Sequence, residues 1–188
     1  LPEELYPTLR PFFRQQYHAS PYMEKYVLQA LCEMGYYQDA MDRMRFRYGA
    51  MVDSPLTTLW EGWGIGNEGF GGGSYNHAWS GGPLTILSSY VAGVKVVEPG
   101  FKVFSVSPNL GNLSHVKVTV ALAGGRFIEV DVKKDAKRCV LELTVPEGTS
   151  GVINLPDGYT QMSVNGKSAR PGMQLETGVW KVEFFEGV

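Results

Sequence analysis

Two hydrophobic periods divide the chain. Met23, Tyr26, Val27, Ala30, Leu31 and Met34 recur at three- and four-residue steps, which lays one apolar stripe along a helix. Ser20 offers an N-cap, Pro21 suits the first helical position, and Gly35 can take the left-handed stop. A second helix is expected from about Gln38 to Tyr48, with Ala40, Met41, Met44 and Tyr48 on one side and Gly49 closing it. The short link between them predicts an antiparallel helical hairpin. Upstream, Glu3 to Tyr17 reads as partly helical, broken by Pro7 and Pro11. A further helix is expected from about Pro83 to Ala92, with Leu84, Leu87 and Val91 apolar and Gly93 ending it.

Beyond residue 100 the period falls to two. Val116, Val118, Val120 and Leu122 alternate with polar neighbours, and after Gly124-Gly125 so do Ile128, Val130 and Val132. Cys139, Leu141, Leu143 and Val145 follow, stopped by Pro146. Asn165-Gly166 signals a type I′ hairpin, and Trp180, Val182 and Phe184 mark a last strand. Short strands bounded by turn residues predict an antiparallel β-sandwich. The fold class is therefore α+β. Helices and a glycine-rich loop occupy 1–95 and the sandwich 96–188, with the change near 94–100 at Glu98-Pro99-Gly100.

That arrangement raises a problem of burial. Helices with broad apolar stripes want more helices than this chain supplies, while the sandwich already has a core of its own. We expect the helical part to end a larger helical domain. Packing onto the sandwich, or onto a second copy to give a homo-oligomer, is the alternative. The chain opens on Leu1 rather than Met, so a processed or excised start is expected.

Composition sets limits. Charged residues make up 19% and the formal net charge is -2, which gives no basic face for nucleic acid or for a membrane surface. No apolar run approaches the roughly 20 residues of a spanning helix. Cys32 and Cys139 lie in separate predicted cores, without the spacing of a bridge, a metal site or a redox pair. No metal or cofactor is expected. Aromatic residues reach 12%, which suits contact with carbohydrate.

The candidate chemistry sits in TTLWEGWG, residues 57–64, and SYNHAW, residues 74–79. Glu61 lies between Trp60 and Trp63. It reads either as a solvated loop acid or as a general acid or base walled by indoles that desolvate it. His77 reads either as a helix-start residue bonded to backbone or as a donor to a substrate hydroxyl. GIGNEG, residues 64–69, matches the spaced glycines of a dinucleotide site, but no buried strand precedes it and FGGGS follows in place of a helix. Nine of the 23 glycines fall between Gly62 and Gly82, a density that marks a tightly turned loop. Asn112-Leu113-Ser114 is a formal glycosylation sequon, meaningful only in a secreted eukaryotic protein. Lys133, Lys134, Lys137 and Arg138 read as a solvated turn.

Four blocks in order, ASPYMEKYVLQAL, TTLWEGW, SYNHAWSGGPLTILSSYVAGV and EPGFKVFSVSP, cover about Ala19 to Pro108. Together they resemble the closing part of bacterial α-L-rhamnosidases, glycoside hydrolase family 78. The resemblance implies the last helices of an (α/α)6 catalytic barrel followed by the family's C-terminal sandwich. It also implies an inverting hydrolysis in which one carboxylic acid protonates the glycosidic oxygen and another activates water. The glutamate of the family's T-T-x-W-E block falls on Glu61, implying the general base. The histidine of its N-H block falls on His77, implying a hydrogen bond to rhamnose, and Trp60 and Asn76 take supporting roles. The family's general acid lies upstream of the matched blocks, so this chain alone is expected to be inactive. The glycine-rich WEGWGIGNEGFGGG departs from relatives that carry a charged residue and a shorter loop there. The implied partners are a rhamnose-containing glycan or glycoside and the upstream catalytic helices, in an extracellular or periplasmic setting. A non-catalytic carbohydrate-binding or assembly module is the other reading.

Overall fold

Helices fill the first unit of the chain, Leu1–Ile86, and strands dominate the second, Leu87–Val188. The computed structural model describes residues 2–66, 73–136 and 138–187. Glu68, most of the glycine run after Gly66, and Lys137 lie outside the described residues.

The first unit holds α1 (Tyr6–Gln15), α2 (Pro21–Glu33), α3 (Tyr37–Val52) and a short α4 (Gly82–Ile86). Ser20 caps α2 by accepting the Met23 N–H at 3.4 Å, and Gly35 takes a φ of 82° at its far end. The antiparallel hairpin forms as expected. The Tyr48 hydroxyl on α3 donates to the Pro21 carbonyl at the start of α2, and Ala40, Met41, Met44 and Tyr48 are all buried.

The inward face of α2 differs from the expected stripe. Met23 and Tyr26 are 47% and 49% exposed, while Glu24, Leu28, Leu31 and Cys32 are buried. The cause is a charge. Glu24 and Arg43 pair with both side chains almost fully buried, through a short Nε–Oε1 contact and a 3.0 Å bond from Nη2 to Oε2. The Arg43 Nη1 also donates to the carbonyls of Phe13 at 2.6 Å and Gln16 at 3.0 Å, which answers acceptors left open where α1 ends. A buried carboxylate must keep its partner, so Glu24 faces α3 and turns Met23 and Tyr26 outward. Asp39 in the first turn of α3 is likewise buried and accepts Arg10 Nε at 2.6 Å, where the helix dipole favours a negative charge.

Three further expectations are corrected. Pro11 lies within α1, which does not break there; Pro7 occupies the first turn, where no donor is needed. Gly49 does not close α3, which continues to Val52. The helix expected over 83–92 is α4 followed by a π turn, Leu87–Val91, and Leu84 and Leu87 are exposed. Phe46 at 68% and Leu84 at 73% are among the apolar side chains the first unit leaves uncovered.

The second unit contains two sheets. One, in the order β1-β2-β6-β9, comprises β1 (Val94–Val96), β2 (Val103–Val106), β6 (Ser150–Ile153) and β9 (Met173–Leu175). The other, ordered β3-β4-β5-β10-β7-β8, comprises β3 (His115–Leu122), β4 (Arg126–Lys134), β5 (Arg138–Val145), β7 (Tyr159–Val164), β8 (Lys167–Ala169) and β10 (Gly178–Glu186). One core joins them: Phe104, Val106, Ile153 and Leu175 from the smaller sheet pack with Ile128, Val130, Leu141, Leu143, Val182 and Phe184 from the larger. This is the sandwich. The alternating residues of β4, β5 and β10 point inward as the period predicted, and Asn165-Gly166, with φ of 48° and 76°, makes the two-residue turn between β7 and β8. The sheets are not wholly antiparallel, because β2 and β6 pair in parallel. The two compact units meet at Ile86/Leu87, and β1, which begins at Val94, pairs with β2 in the smaller sheet. Neither cysteine is in a disulfide, both are buried, and burial pushes the Cys139 thiol up to about 11.

Among the described residues, no helix is long and apolar enough to cross a membrane.

Arg43→Met removes the hydrogen-bonded partner of the buried Glu24 carboxylate and leaves it the more distant Arg47, 3.6 Å from Oε2, so the helical unit should lose up to about 3–5 kcal/mol in urea unfolding followed by far-UV circular dichroism. Pairing it with Glu24→Leu should recover much of that loss; a single variant as stable as the parent chain would contradict the assignment. Gly93 has a φ of 77°, and an added Cβ would sit 2.0 Å from the Ser107 carbonyl oxygen. Gly93→Ala should therefore lower the stability of the sandwich by about 1–3 kcal/mol or more on the same measurement.

Candidate active site

The site begins with two backbone hydrogen bonds between strand-like segments. The Glu61 N–H donates to the Ser74 carbonyl at 2.9 Å, and the His77 N–H donates to the Leu59 carbonyl at 2.9 Å. Residues 59–61 and 74–77 thus run antiparallel, with the glycine-rich stretch joining them. The pairing is anchored around its edge. The Thr58 hydroxyl bonds the Tyr75 carbonyl, Ser80 Oγ donates to the Trp60 carbonyl at 2.6 Å, and the Trp60 N–H points at Met51 Sδ on α3 at 3.4 Å.

This register brings Glu61 and His77 together. Glu61 Oε2 accepts the Ser74 N–H at 2.8 Å and lies 3.5 Å from His77 Nδ1, with both side chains about one-third exposed, 35% and 33%. Ser74 Oγ lies 3.0 Å from the same imidazole nitrogen. Among the described residues, both contacts to the carboxylate fall on Oε2, which orients the group and leaves Oε1 for another partner. A carboxylate held by a backbone donor beside an imidazole can take a proton from water or bind a hydroxyl.

The indoles flanking Glu61 in sequence pack against other aromatic rings. Trp60 packs edge-on against Tyr75, with centroids 5.2 Å apart and planes at 89°. Trp63 meets Tyr48 edge-on at 4.9 Å, lies under the Arg47 guanidinium at 4.2 Å, and donates its indole N–H to the Ala19 carbonyl at 2.8 Å. The Trp60 indole N–H is buried without a partner among the described residues. Asn76 is exposed, and its carbonyl faces Ser74 Oγ at 3.3 Å.

Two features escaped the sequence reading. Ser74 touches both candidate residues, through its backbone toward Glu61 and through its hydroxyl toward His77. Its only sequence signal was its place three residues before His77. The other is an aromatic surface running outward from His77. Trp79 stacks on it at 4.2 Å and Tyr22 of α2 stacks on Trp79 at 5.4 Å; the two rings are 44% and 43% exposed. No group of three or more His, Cys, Asp or Glu among the described residues could hold a metal ion.

Residues 93–170 match the family described as the bacterial alpha-L-rhamnosidase C-terminal domain. No curated protein matches the chain. Among solved structures, the alpha-L-rhamnosidase from Dictyoglumus thermophilum is 21% identical over 86% of this chain and 20% of its own, with a TM-score of 0.70. The GH78 family rhamnosidase of Bacillus sp. GL1 is 25% identical over 80% of this chain and 17% of its own, with a TM-score of 0.66. The alpha-L-rhamnosidase of Streptomyces avermitilis, complexed with L-rhamnose, is 20% identical over 85% of this chain and 17% of its own, with a TM-score of 0.69. This chain therefore spans a fifth or less of the length of those three proteins. Residues 93–170 are thus similar to the C-terminal domain of the bacterial alpha-L-rhamnosidases, and the chain as a whole is similar to the C-terminal portion of such an enzyme.

Gly73 has a φ of 130°, and an added Cβ would fall 2.8 Å from Ile65 Cδ1 and 3.5 Å from Glu61 Oε2. Gly73→Ala should push Ser74 off the carboxylate, so that its amide loses most of its protection in hydrogen exchange. Unchanged protection of that amide would contradict the hydrogen bond from Ser74 to Glu61.

Proposed function

We propose that this chain is the C-terminal portion of an inverting glycoside hydrolase of the α-L-rhamnosidase type. Glu61 is its general base and His77 a ligand of the bound sugar, with Trp60 and Asn76 in support. The observation that carries the reading is the carboxylate itself. Its Oε2 is anchored by Ser74 beside His77, while among the described residues neither contact reaches Oε1. In the reaction, Oε1 takes a proton from water as the water oxygen bonds to the anomeric carbon. The glycosidic C–O bond breaks, and a carboxylic acid on the far side gives its proton to the leaving oxygen.

An inverting pair stands roughly 6.5–9.5 Å apart to admit that water. The acid belongs, on this reading, to the upstream remainder of a longer protein. Asp53 follows the last turn of α3 as its C-cap and matches no block of the family. The uncovered Met23, Tyr26, Phe46 and Leu84 support the same view, since exposed helical faces of this kind would pack on further helices of an (α/α)6 barrel. The substrate is a rhamnose-containing glycoside, met outside the cytoplasm.

A second reading rests on the exposed surface of Tyr22 and Trp79 beside His77: a binding module without catalysis, whose rings stack on the apolar face of a sugar. In the longer protein, Glu61→Gln should lower turnover of an aryl rhamnoside by roughly a hundred- to ten-thousand-fold, and an unchanged rate would remove Glu61 from the mechanism. The 188-residue chain by itself should release no rhamnose from the same substrate. Tight quenching of its tryptophan fluorescence by rhamnose oligosaccharides, together with an unaffected Glu61→Gln enzyme, would favour the binding module.

A further inference from the structure

The hydroxyl of Ser74 sits between two groups that constrain where its proton and that of His77 lie. Ser74 Oγ lies 3.0 Å from His77 Nδ1 and 3.3 Å from the Asn76 carbonyl oxygen. A serine hydroxyl has a single proton to give, and a carbonyl can only accept. If that proton goes to the Asn76 carbonyl, Oγ meets Nδ1 through a lone pair, and Nδ1 must be the donor. The reverse assignment, with the hydroxyl donating to a bare Nδ1, loses the bond to Asn76. It also turns the nitrogen lone pair toward Glu61 Oε2, 3.5 Å away. An ionised carboxylate offers only lone pairs, so that arrangement sets two acceptors against each other. Both neighbours therefore select the same form.

We propose that Ser74 is a positioning residue that fixes neutral His77 in its Nδ1–H tautomer, so that Nε2 meets the substrate as a hydrogen-bond acceptor. The inference rests on the reading of His77 as a sugar ligand and sharpens it. The sequence suggested that His77 donates to a substrate hydroxyl; the neutral ring held this way accepts a hydrogen bond from that hydroxyl instead. The sugar hydroxyl at that position must then be a donor, and a methyl ether there, which can only accept, fits poorly. Ser74 divides its work: its backbone N–H holds Glu61 and its side chain holds His77, so a side-chain substitution tests one without removing the other.

The test is a two-bond proton–nitrogen correlation spectrum of the 188-residue chain labelled with 15N-histidine. It is recorded at about pH 9, well above the ordinary imidazole range. The chain has 3 histidines, and the His77 signals are those that vanish in His77→Gln. The expected pattern is a protonated Nδ1 and a bare Nε2; a proton on Nε2, alone or with one on Nδ1, overturns the proposal. Ser74→Ala should shift the tautomer ratio toward Nε2–H by roughly 2- to 10-fold, the worth of one hydrogen bond, and Ser74→Thr should restore it. A ratio that Ser74→Ala does not move would show that Ser74 is not the positioning group. The spectrum of the unaltered chain decides the tautomer even where a variant fails to fold. It also stands apart from catalysis, because a Glu61→Gln enzyme of full activity would end the functional reading and leave this spectrum as it is.

Discussion

Two backbone hydrogen bonds hold the candidate site together: Glu61 to the Ser74 carbonyl and His77 to the Leu59 carbonyl, each at 2.9 Å. Glu61 and His77 are separated by a glycine-rich loop, and without this antiparallel register nothing would bring a carboxylate to within 3.5 Å of an imidazole. A shift of one residue would turn Glu61 to the opposite side, where Trp60 now meets Tyr75. The surrounding contacts act as locks on that register. Met51, Ser80 and the indole of Trp63 each tie the paired segments to a neighbouring part of the helical unit, and Thr58 bonds one segment to the other.

The helical unit beneath is fixed by charge as much as by apolar packing. The buried Glu24–Arg43 pair, with Arg43 also reaching two carbonyls at the end of α1, joins three helices at one point. A buried pair of this kind contributes little net stability compared with apolar side chains of similar volume. It does penalise any arrangement that parts the two charges. Here it sets how α2 rotates against α3, and so it fixes Tyr22 on the outward side that carries Trp79 and, next to it, His77.

The larger sheet was legible because its strands are long enough for a period of two to show. Ile128, Val130 and Val132, then Cys139, Leu141, Leu143 and Val145, all point inward as their alternation required. The smaller sheet was not, since β1 and β9 span three residues each and β2 and β6 four, too few for a period to stand out from chance. The face of α2 was misread because a charged residue sits at a core position, and apolar spacing carries no information about a partner 19 residues away. In the site, Glu61 and His77 could be singled out by their side chains and by the family blocks they fall in. The part of Ser74 was hidden, because a backbone N–H has no letter in the sequence and its partner depends on register alone.

The central claim is that Glu61 activates the attacking water and does no more than that. Azide needs no base, so it can stand in for the activated water once the carboxylate is removed. In the longer protein carrying Glu61→Ala, with an aryl rhamnoside as substrate, the account predicts little turnover in buffer and recovery on addition of azide. The product should be a rhamnosyl azide of inverted anomeric configuration. Turnover that does not respond to azide, or an azide product that keeps the substrate's configuration, would contradict it.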